Sequence, residues 1–242
     1  MSLRAKRVVI VGGSSGIGFA VAEQAVADGA RVIVASSNAP KVEKAVERLG
    51  AGVVGLALDV RDREAVARAC EQLGRFDHLV YTAGDWDSFE WVPFAETDLS
   101  AAANIFAVRF WGAVCVIRHA HAALPPGGSI TLTDGMIAHR PRKGSALGTA
   151  MAGAIEHLVR GLAVELAPVR VNAVCPGPIR TGVWDSRLPE AEREEQLQRM
   201  TRRQPIARVG EPREVAEAYL YLMRGTYTTG QVLHVDGGGS VV

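Results

Sequence analysis

A chain of 242 residues with 48% hydrophobic residues is long enough to bury the core of one large α/β domain. The formal net charge is +1, and acidic and basic residues are both spread along the chain. The sequence therefore has neither the basic stripe typical of a nucleic-acid-binding protein nor an acidic tail. Cys70, Cys115 and Cys175 are odd in number and scattered, so we expect reduced thiols rather than a disulfide set or a metal site. No apolar run approaches the roughly 20 residues of a membrane span, and the first strand begins too early for a signal peptide. We therefore expect a cytoplasmic protein without a membrane partner.

Short apolar runs alternate with longer amphipathic stretches from end to end. The predicted strands are Arg7 to Val11, Arg31 to Ala35, Val53 to Leu58, His78 to Tyr81, Ser129 to Thr133, Val169 to Val174 and Gln231 to Val235. The predicted helices are Gly16 to Ala27, Pro40 to Leu49, Arg63 to Leu73, Leu99 to Ala123, Leu147 to Ala167 and Pro212 to Met223. Strands without polar alternation are typical of parallel sheets buried on both faces. The order predicts a single α/β domain, 1–242, with a doubly wound sheet of seven parallel strands and helices on both faces.

One connection, 182–210, is much longer than the others and carries a charged helical stretch from Pro189 to Met200. Connections of this length in compact domains are usually functional lids, so we expect a mobile flap there.

The first strand ends in a glycine-rich turn that opens the first helix. Glycines let the backbone approach a pyrophosphate, and the free N–H groups and positive end of the helix then face the anion. An ordinary glycine-rich turn is the alternative, but the position after the first strand of a βαβ unit favours a dinucleotide site. The turn residues predicted to bind the cofactor are Gly12, Ser14, Ser15, Gly16, Ile17 and Gly18.

This turn resembles the TGxxxGxG turn of the short-chain dehydrogenase/reductase family, with Val11 where threonine is usual. Further segments resemble motifs of that family and follow one another in the same order along the chain. They are its acidic turn at 58–60, its NNAG segment at 81–84, its sixth strand and PG segment at 170–181, and its C-terminal signatures at 209–212 and 229–238. Of the NNAG segment only Ala83 and Gly84 are kept. The resemblance implies a Rossmann-type fold and hydride transfer between a carbonyl and an alcohol. It implies cofactor contacts from Asp59, Val60, Ala83, Gly84, Pro176, Gly177, Ile179 and Thr181, with Thr181 and the Ile179 backbone holding the nicotinamide carboxamide.

The end of the second strand bears on the choice between the two nicotinamide cofactors. An acid there would bond the 2′-hydroxyl of NAD and repel the phosphate of NADP, but the sequence is Ala35-Ser36-Ser37-Asn38. Ser36 and Ser37 can donate to a phosphate, with Lys41 nearby, although the arginine common in NADP-dependent relatives is replaced by Ser37. Turn and N-cap roles are the alternative. We expect NADP(H) rather than NAD(H).

The residues that carry the family's chemistry are missing. The resemblance implies a catalytic tyrosine, lysine, serine and asparagine, and these positions fall on Gly148, Ala152, Gly135 and Arg109. None of the four tyrosines, Tyr81, Tyr219, Tyr221 and Tyr227, has a lysine four residues later.

Three residues are candidate substitutes. The Arg109 side chain can project its fixed positive charge into the space of the missing lysine, or it can lie on the helix surface at a subunit contact. Asp134 at the end of the fifth strand can be a general base or a turn residue. His139 can titrate near neutral pH or belong to a solvated basic loop, which could attract an acidic substrate.

Three functions therefore remain open. One is an NADP(H)-binding oxidoreductase acting on a carbonyl/alcohol pair, and another is a non-catalytic nucleotide sensor or structural subunit of a hetero-oligomer. The third is a pocket for a different ligand, with the Trp184 to Met200 flap reshaped around it. In relatives the two predicted helices Leu99 to Ala123 and Leu147 to Ala167 form a four-helix subunit contact, so the resemblance implies a homotetramer or a dimer. Trp86, Trp91 and Phe94 either line an apolar substrate cleft or pack a loop.

Overall fold

The strands form one parallel sheet. The computed structural model describes residues 2–84, 92–185 and 189–242. Within them the strands are β1 (Arg7–Val11), β2 (Arg31–Ser36), β3 (Val54–Ala57), β4 (His78–Tyr81), β5 (Ser129–Thr133), β6 (Arg170–Pro176) and β7 (Val232–Val235). Their order across the sheet is β3-β2-β1-β4-β5-β6-β7 and every recorded pair is parallel. The order reverses between β1 and β4, so the carboxyl ends of these strands flank the crevice in which doubly wound sheets bind ligands.

Helices cover both faces of the sheet. They are α1 (Gly16–Ala27), α2 (Ala39–Leu49), α3 (Arg63–Leu73), α4 (Leu99–Ala102), α5 (Asn104–Phe106), α6 (Ala113–Ala120), α7 (Ala146–Glu165), α8 (Glu190–Thr201) and α9 (Pro212–Arg224). Alternate residues of each strand enter two apolar cores: Val9 and Val11 pack toward α3, α6 and α7, whereas Val8 and Ile10 pack toward α1, α2 and α9. The predicted doubly wound fold is confirmed. None of the described helices is both long enough and apolar enough to cross a membrane.

The prediction of one continuous helix from Leu99 to Ala123 was wrong. The segment is interrupted after α5 by a π-helix, Ala107–Gly112, and ends in a 3-10 turn at His121–Ala123. The Tyr81 hydroxyl donates a hydrogen bond of 2.5 Å to the Val108 carbonyl, and a Cβ on Gly112 would lie 2.5 Å from that hydroxyl oxygen. This contact with β4 stabilises the wider turn, and apolar periodicity cannot reveal it because it comes from a distant element.

His78 is a buried titratable group at the start of β4. Its Nδ1 lies 2.8 Å from the Ser129 Oγ, and burial, reinforced by Arg170 and Lys6 and opposed by Asp77, lowers the pKa of His78 from 6.5 to about 4. The unfolded chain therefore binds a proton more readily than the folded chain between these two pH values, so stability falls as the pH is lowered through that window.

We expect this one group to remove about 3 kcal/mol from the free energy of unfolding as the pH falls from 7 to 4. Urea titrations at the two pH values should show a smaller acid destabilisation for His78→Gln than for the wild type. The exposed His119→Gln serves as the control and should behave as the wild type. Equal acid destabilisation of all three proteins would contradict the prediction.

Candidate active site

A cleft of about 640 Å³ runs along the carboxyl ends of the strands. It has the size of a small-molecule or cofactor site. The structure brings together in its wall all the residues that the sequence analysis assigned to the cofactor: Gly12, Ser14, Ser15, Gly16, Ile17, Gly18, Ser36, Ser37, Asp59, Val60, Ala83, Gly84, Pro176, Gly177, Ile179 and Thr181.

The glycine turn has the geometry that a pyrophosphate requires. Gly12 and Gly16 adopt φ values of +93° and +54°, and the Gly12 N–H donates to the Ala35 carbonyl at 2.7 Å, which fixes the turn to β2. Among the described residues, no side chain caps the N-terminus of α1 and no acidic residue lies in its first turn. A Cβ on Gly16 would lie 3.4 Å from Thr181 Cγ2, in the gap between this helix end and the loop after β6. An anion in that gap would face the N–H groups and the positive end of α1.

The end of the cleft beside β2 and β3 carries two cations. Lys41 and Arg61 both line it, and Arg61 forms a bidentate ion pair with Asp59, with Nη2 2.8 Å from Oδ2 and Nε 3.0 Å from Oδ1. Asn38 accepts a hydrogen bond from the Lys41 backbone N–H and so caps α2, as the turn-and-cap alternative predicted for this segment. Arg61 is not among the residues predicted from the sequence to line this site.

The opposite end is closed by the long connection after β6. Gly182–Trp184 forms a 3-10 turn whose Trp184 Nε1 donates to the Ile179 carbonyl at 2.8 Å. Gln196 and Met200 of α8 line the cleft from above, so the expected flap does cover the site, while its mobility stays a prediction. Phe94 is 68% exposed and does not line the cleft; Trp86 and Trp91 lie outside the described residues.

The four positions implied by the family resemblance also meet in this wall. Gly135, Gly148 and Ala152 line it without a side-chain hydrogen-bonding group, and Arg109 lines it as a cation. Arg109 is only 9% exposed; its Nη1 lies 3.4 Å from the Asp134 carbonyl, and a Cβ on Gly84 would lie 2.9 Å from its Nε. The interpretation of Arg109 as a helix-surface residue was therefore wrong, because the π-helix directs it inward over Gly84.

The tyrosines do not provide a proton donor in this part of the cleft. The Tyr81 hydroxyl is engaged by Val108, and the fully buried Tyr219 hydroxyl lies 2.7 Å from the Thr133 Oγ1 behind β5. Burial raises the pKa of both hydroxyls well above the usual range.

Asp134 and His139 belong to a separate cluster beneath the wall. Asp134 is 1% exposed, rather than a turn residue at the surface, and burial together with the neighbouring Glu156 carboxyl raises the pKa of Asp134 to about 8. His139 Nε2 lies 2.5 Å from Glu156 Oε1, and its ring packs edge-on against His234 at 4.5 Å. His139 does not line the cleft. Asp134 lines it, but both of its carboxyl oxygens are buried.

Two further arginines line the end of the cleft near Gly135. Arg140 and Arg142, on the loop between β5 and α7, line the cleft together with Arg109. The Arg140 Nε donates to the Gly239 carbonyl at 3.2 Å, which fixes this side chain to the C-terminal segment.

Comparison with known proteins places relatives along the whole chain. A family model described as enoyl-(acyl carrier protein) reductase matches residues 11–240. A short-chain dehydrogenase/reductase from Stachybotrys chlorohalonatus is 35% identical over 98% of both chains. This chain is similar to a small-chain dehydrogenase whose crystal structure was solved in complex with NADPH. The two sequences are 34% identical and the structures superpose with a TM-score of 0.84, over 98% of this chain and 100% of that one. The MalC reductase/Diels-Alderase of Malbranchea aurantiaca is 32% identical with a TM-score of 0.91, covering 99% and 97%.

Proposed function

Since this chain belongs to the short-chain dehydrogenase/reductase family, we propose that it is an NADPH-binding oxidoreductase that acts on a carbonyl/alcohol pair without the family's usual tyrosine, lysine, serine and asparagine. The observation that carries this proposal is the coexistence of a complete dinucleotide cleft with a buried cation, Arg109, beside the vacant positions Gly148 and Ala152.

The preference for NADPH is supported by the charges at the adenine end. Lys41 lines the cleft beside Ser36 and Ser37, no acidic side chain ends β2, and the nearby Asp59 carboxylate is held in its ion pair with Arg61. These groups suit a 2′-phosphate better than a bare hydroxyl. The similar small-chain dehydrogenase in complex with NADPH agrees with this assignment.

For hydride transfer, the protein would mainly have to position the cofactor and the substrate and stabilise the charge that develops on the carbonyl oxygen. The bound cofactor would supply a hydride to the carbonyl carbon. Arg109 would polarise the carbonyl oxygen and stabilise the negative charge that develops on it, because a fixed guanidinium in a partly desolvated site is an effective oxyanion partner. Water would then supply the proton. Loss of the positioned tyrosine should make the enzyme slower than its relatives by on the order of 10²- to 10⁴-fold.

The substrate class follows from the same end of the cleft. Arg140 and Arg142 lie on the loop that also carries Gly135, and both line the site. We propose a carbonyl substrate that bears a carboxylate or another acidic group, because arginine binds such groups with charge-assisted hydrogen bonds.

Replacement of Ser36 by aspartate should exchange the cofactor preference. A carboxylate at the end of β2 would repel the 2′-phosphate and accept a hydrogen bond from the 2′-hydroxyl, so NADPH affinity should fall on the order of tenfold while NADH affinity rises. Fluorescence titration with both cofactors measures the exchange, and Ser36→Asn is the uncharged control. Equal losses of both affinities in Ser36→Asp would contradict the NADPH assignment.

The function itself is tested by titrating the purified protein with NADPH and NADH, then assaying turnover on acidic and neutral carbonyl compounds. Tight NADPH binding with slow reduction of the acidic compounds supports the enzyme. Tight binding without turnover supports the alternative, a nucleotide sensor or a structural subunit, which the lack of functional groups at Gly148 and Ala152 favours. Binding of neither cofactor contradicts both.

We further propose a homo-oligomer, a tetramer or a dimer, in the cytoplasm. Trp111 at the π-helix is 56% exposed and Val164 on α7 is 82% exposed. A Cβ on Gly153 or Gly161 of α7 would meet nothing within 4 Å in the described chain, so the small residues leave a face that a second copy can approach closely.

A further inference from the structure

Five side chains of metal-ligating chemistry converge beneath the cleft from different elements. Asp134 follows β5, His139 lies in the loop after it, Glu156 is on α7, Cys175 on β6 and His234 on β7. The ligand atoms of Asp134, His139 and Glu156 all lie within 4.8 Å of one another, and so do those of His139, Cys175 and His234. His139 belongs to both groups, so the five side chains form one continuous cluster.

The cluster is built from the sheet upward. Cys175 and His234 are paired neighbours in the register of β6 and β7, which places their side chains on the same face of the sheet. Glu156 faces them from α7, and the His139 and His234 rings lie edge-to-face with centroids 4.5 Å apart. Cys175 is completely buried, whereas the two histidines are partly exposed and form a path from solvent to the cluster.

Asp134 is the most deeply buried acid of this cluster. It is 1% exposed, and its ligand oxygen lies within 4.8 Å of that of Glu156. The Arg109 guanidinium contacts the backbone carbonyl of Asp134. Two buried carboxylates so close together are unfavourable unless a proton or a cation neutralises the pair.

We propose that the cluster binds one zinc ion. His139, His234 and Cys175, whose ligand atoms lie within 4.8 Å of one another, would be three of its ligands, and Glu156, which contacts His139, would be the fourth. The Cys175 thiolate and the Glu156 carboxylate would balance the two positive charges of the ion. Imidazole, thiolate and carboxylate in a four-coordinate set are the ligands that zinc takes in proteins, whereas magnesium and calcium require oxygen ligands throughout. The sequence predicted no metal site because the consecutive members of the cluster lie between 5 and 59 positions apart along the chain.

The consequence would be a closed, structural centre. His139, Glu156, Cys175 and His234 do not line the cleft, so the ion would stabilise its wall without meeting the substrate. It would join the loop that carries Arg140 and Arg142 to β6, β7 and α7. Binding would displace the short contact between His139 and Glu156 as both residues turn to the ion.

The test uses the full chain, freed of metal with a chelator and titrated by calorimetry with zinc chloride in competition with a chromophoric chelator. We expect one equivalent to bind. His139→Gln and His234→Gln should each weaken binding by more than about 100-fold, because removal of a ligand exceeds the usual effect of changing its hydrogen-bond partners. His157→Gln, an exposed histidine one residue from Glu156, is the matched control and should bind as the wild type.

Cobalt(II) provides a spectroscopic test of the ligand set that does not depend on any activity. The wild type should show intense visible bands of a tetrahedral ion and a near-ultraviolet sulphur-to-cobalt charge-transfer band, and Cys175→Ser should lose only the latter. Cys70→Ser, which changes a buried thiol outside the cluster, should keep both. Failure to bind one equivalent, equal affinity of the His139 and His157 variants, or a cobalt spectrum without the sulphur band would each overturn the proposal.

Discussion

Gly12→Ala is expected to destabilise the folded chain by about 3 to 5 kcal/mol, from the strain of a side chain at positive φ and from overpacking. A Cβ at this position would lie 2.5 Å from the Ala83 amide nitrogen and 2.7 Å from the Thr82 carbonyl carbon. Both are backbone atoms of the segment after β4, so they cannot rotate away as a side chain could. Relief requires the glycine turn to move off the sheet, and with it the N-terminus of α1, so cofactor affinity should be lost as well.

Gly52→Ala separates the two causes. Gly52 has nearly the same φ, +92°, as Gly12 at +93°, but a Cβ on Gly52 would meet nothing within 4 Å in the described chain. Chemical unfolding should therefore show a loss of only about 1 to 2 kcal/mol for Gly52→Ala, the cost of the backbone conformation. If the two variants lose the same stability, the close contact of the glycine turn with the Thr82–Ala83 backbone does not limit the size of the side chain at Gly12, and the prediction is contradicted.

Arg109→Met is expected to lower kcat/KM for carbonyl reduction by about 10²- to 10³-fold, the usual effect of removing a group that stabilises a developing oxyanion. Methionine keeps much of the buried length and removes the charge that lies over Gly84. Steady-state kinetics measures the loss, and NADPH titration of the same variant shows whether Arg109 also contacts the cofactor. A lower kcat with unchanged NADPH affinity assigns Arg109 to the carbonyl oxygen.

Arg118→Met is the control for this substitution, because Arg118 is an exposed arginine on the next helix, α6. It should leave both kcat/KM and NADPH affinity within about twofold of the wild type, as surface substitutions usually do. Unchanged kinetics and unchanged binding in Arg109→Met would contradict the proposal that Arg109 polarises the carbonyl oxygen, and the sensor would then be the better interpretation of the cleft.

Short sequence patterns were enough to predict the fold and most of the residues that line the cleft. The bounds of β1 and α1 were predicted as the structure has them, because an apolar run, a glycine turn and a mostly apolar helix follow one another directly. The residues predicted to bind the cofactor belong to contiguous motifs, and the carboxyl ends of parallel strands meet at one edge, so predicting the elements also predicted which motifs converge.

Signals that depend on distant residues were missed. Asp134 and His139 were recognised separately, but nothing local indicates that Glu156, a single acid within a helix, contacts both of them. His234 and Cys175 are 59 positions apart and meet only through strand pairing. Arg109 was assigned to the surface or to the cleft with equal weight, because its direction depends on the winding of a segment whose sequence fits an ordinary α-helix.

That winding has a consequence for how such a site can be gained or lost in evolution. A π-helix is usually an α-helix that has accommodated one extra residue, and each such residue rotates the preceding side chains relative to those that follow. A single-codon deletion within 107–112 would return the segment to regular winding and turn the guanidinium away from Gly84 without changing the identity of any remaining residue. Chains that share an arginine at the aligned position therefore need not share the cation in the cleft, and the length of this segment is the better criterion for identifying those that do.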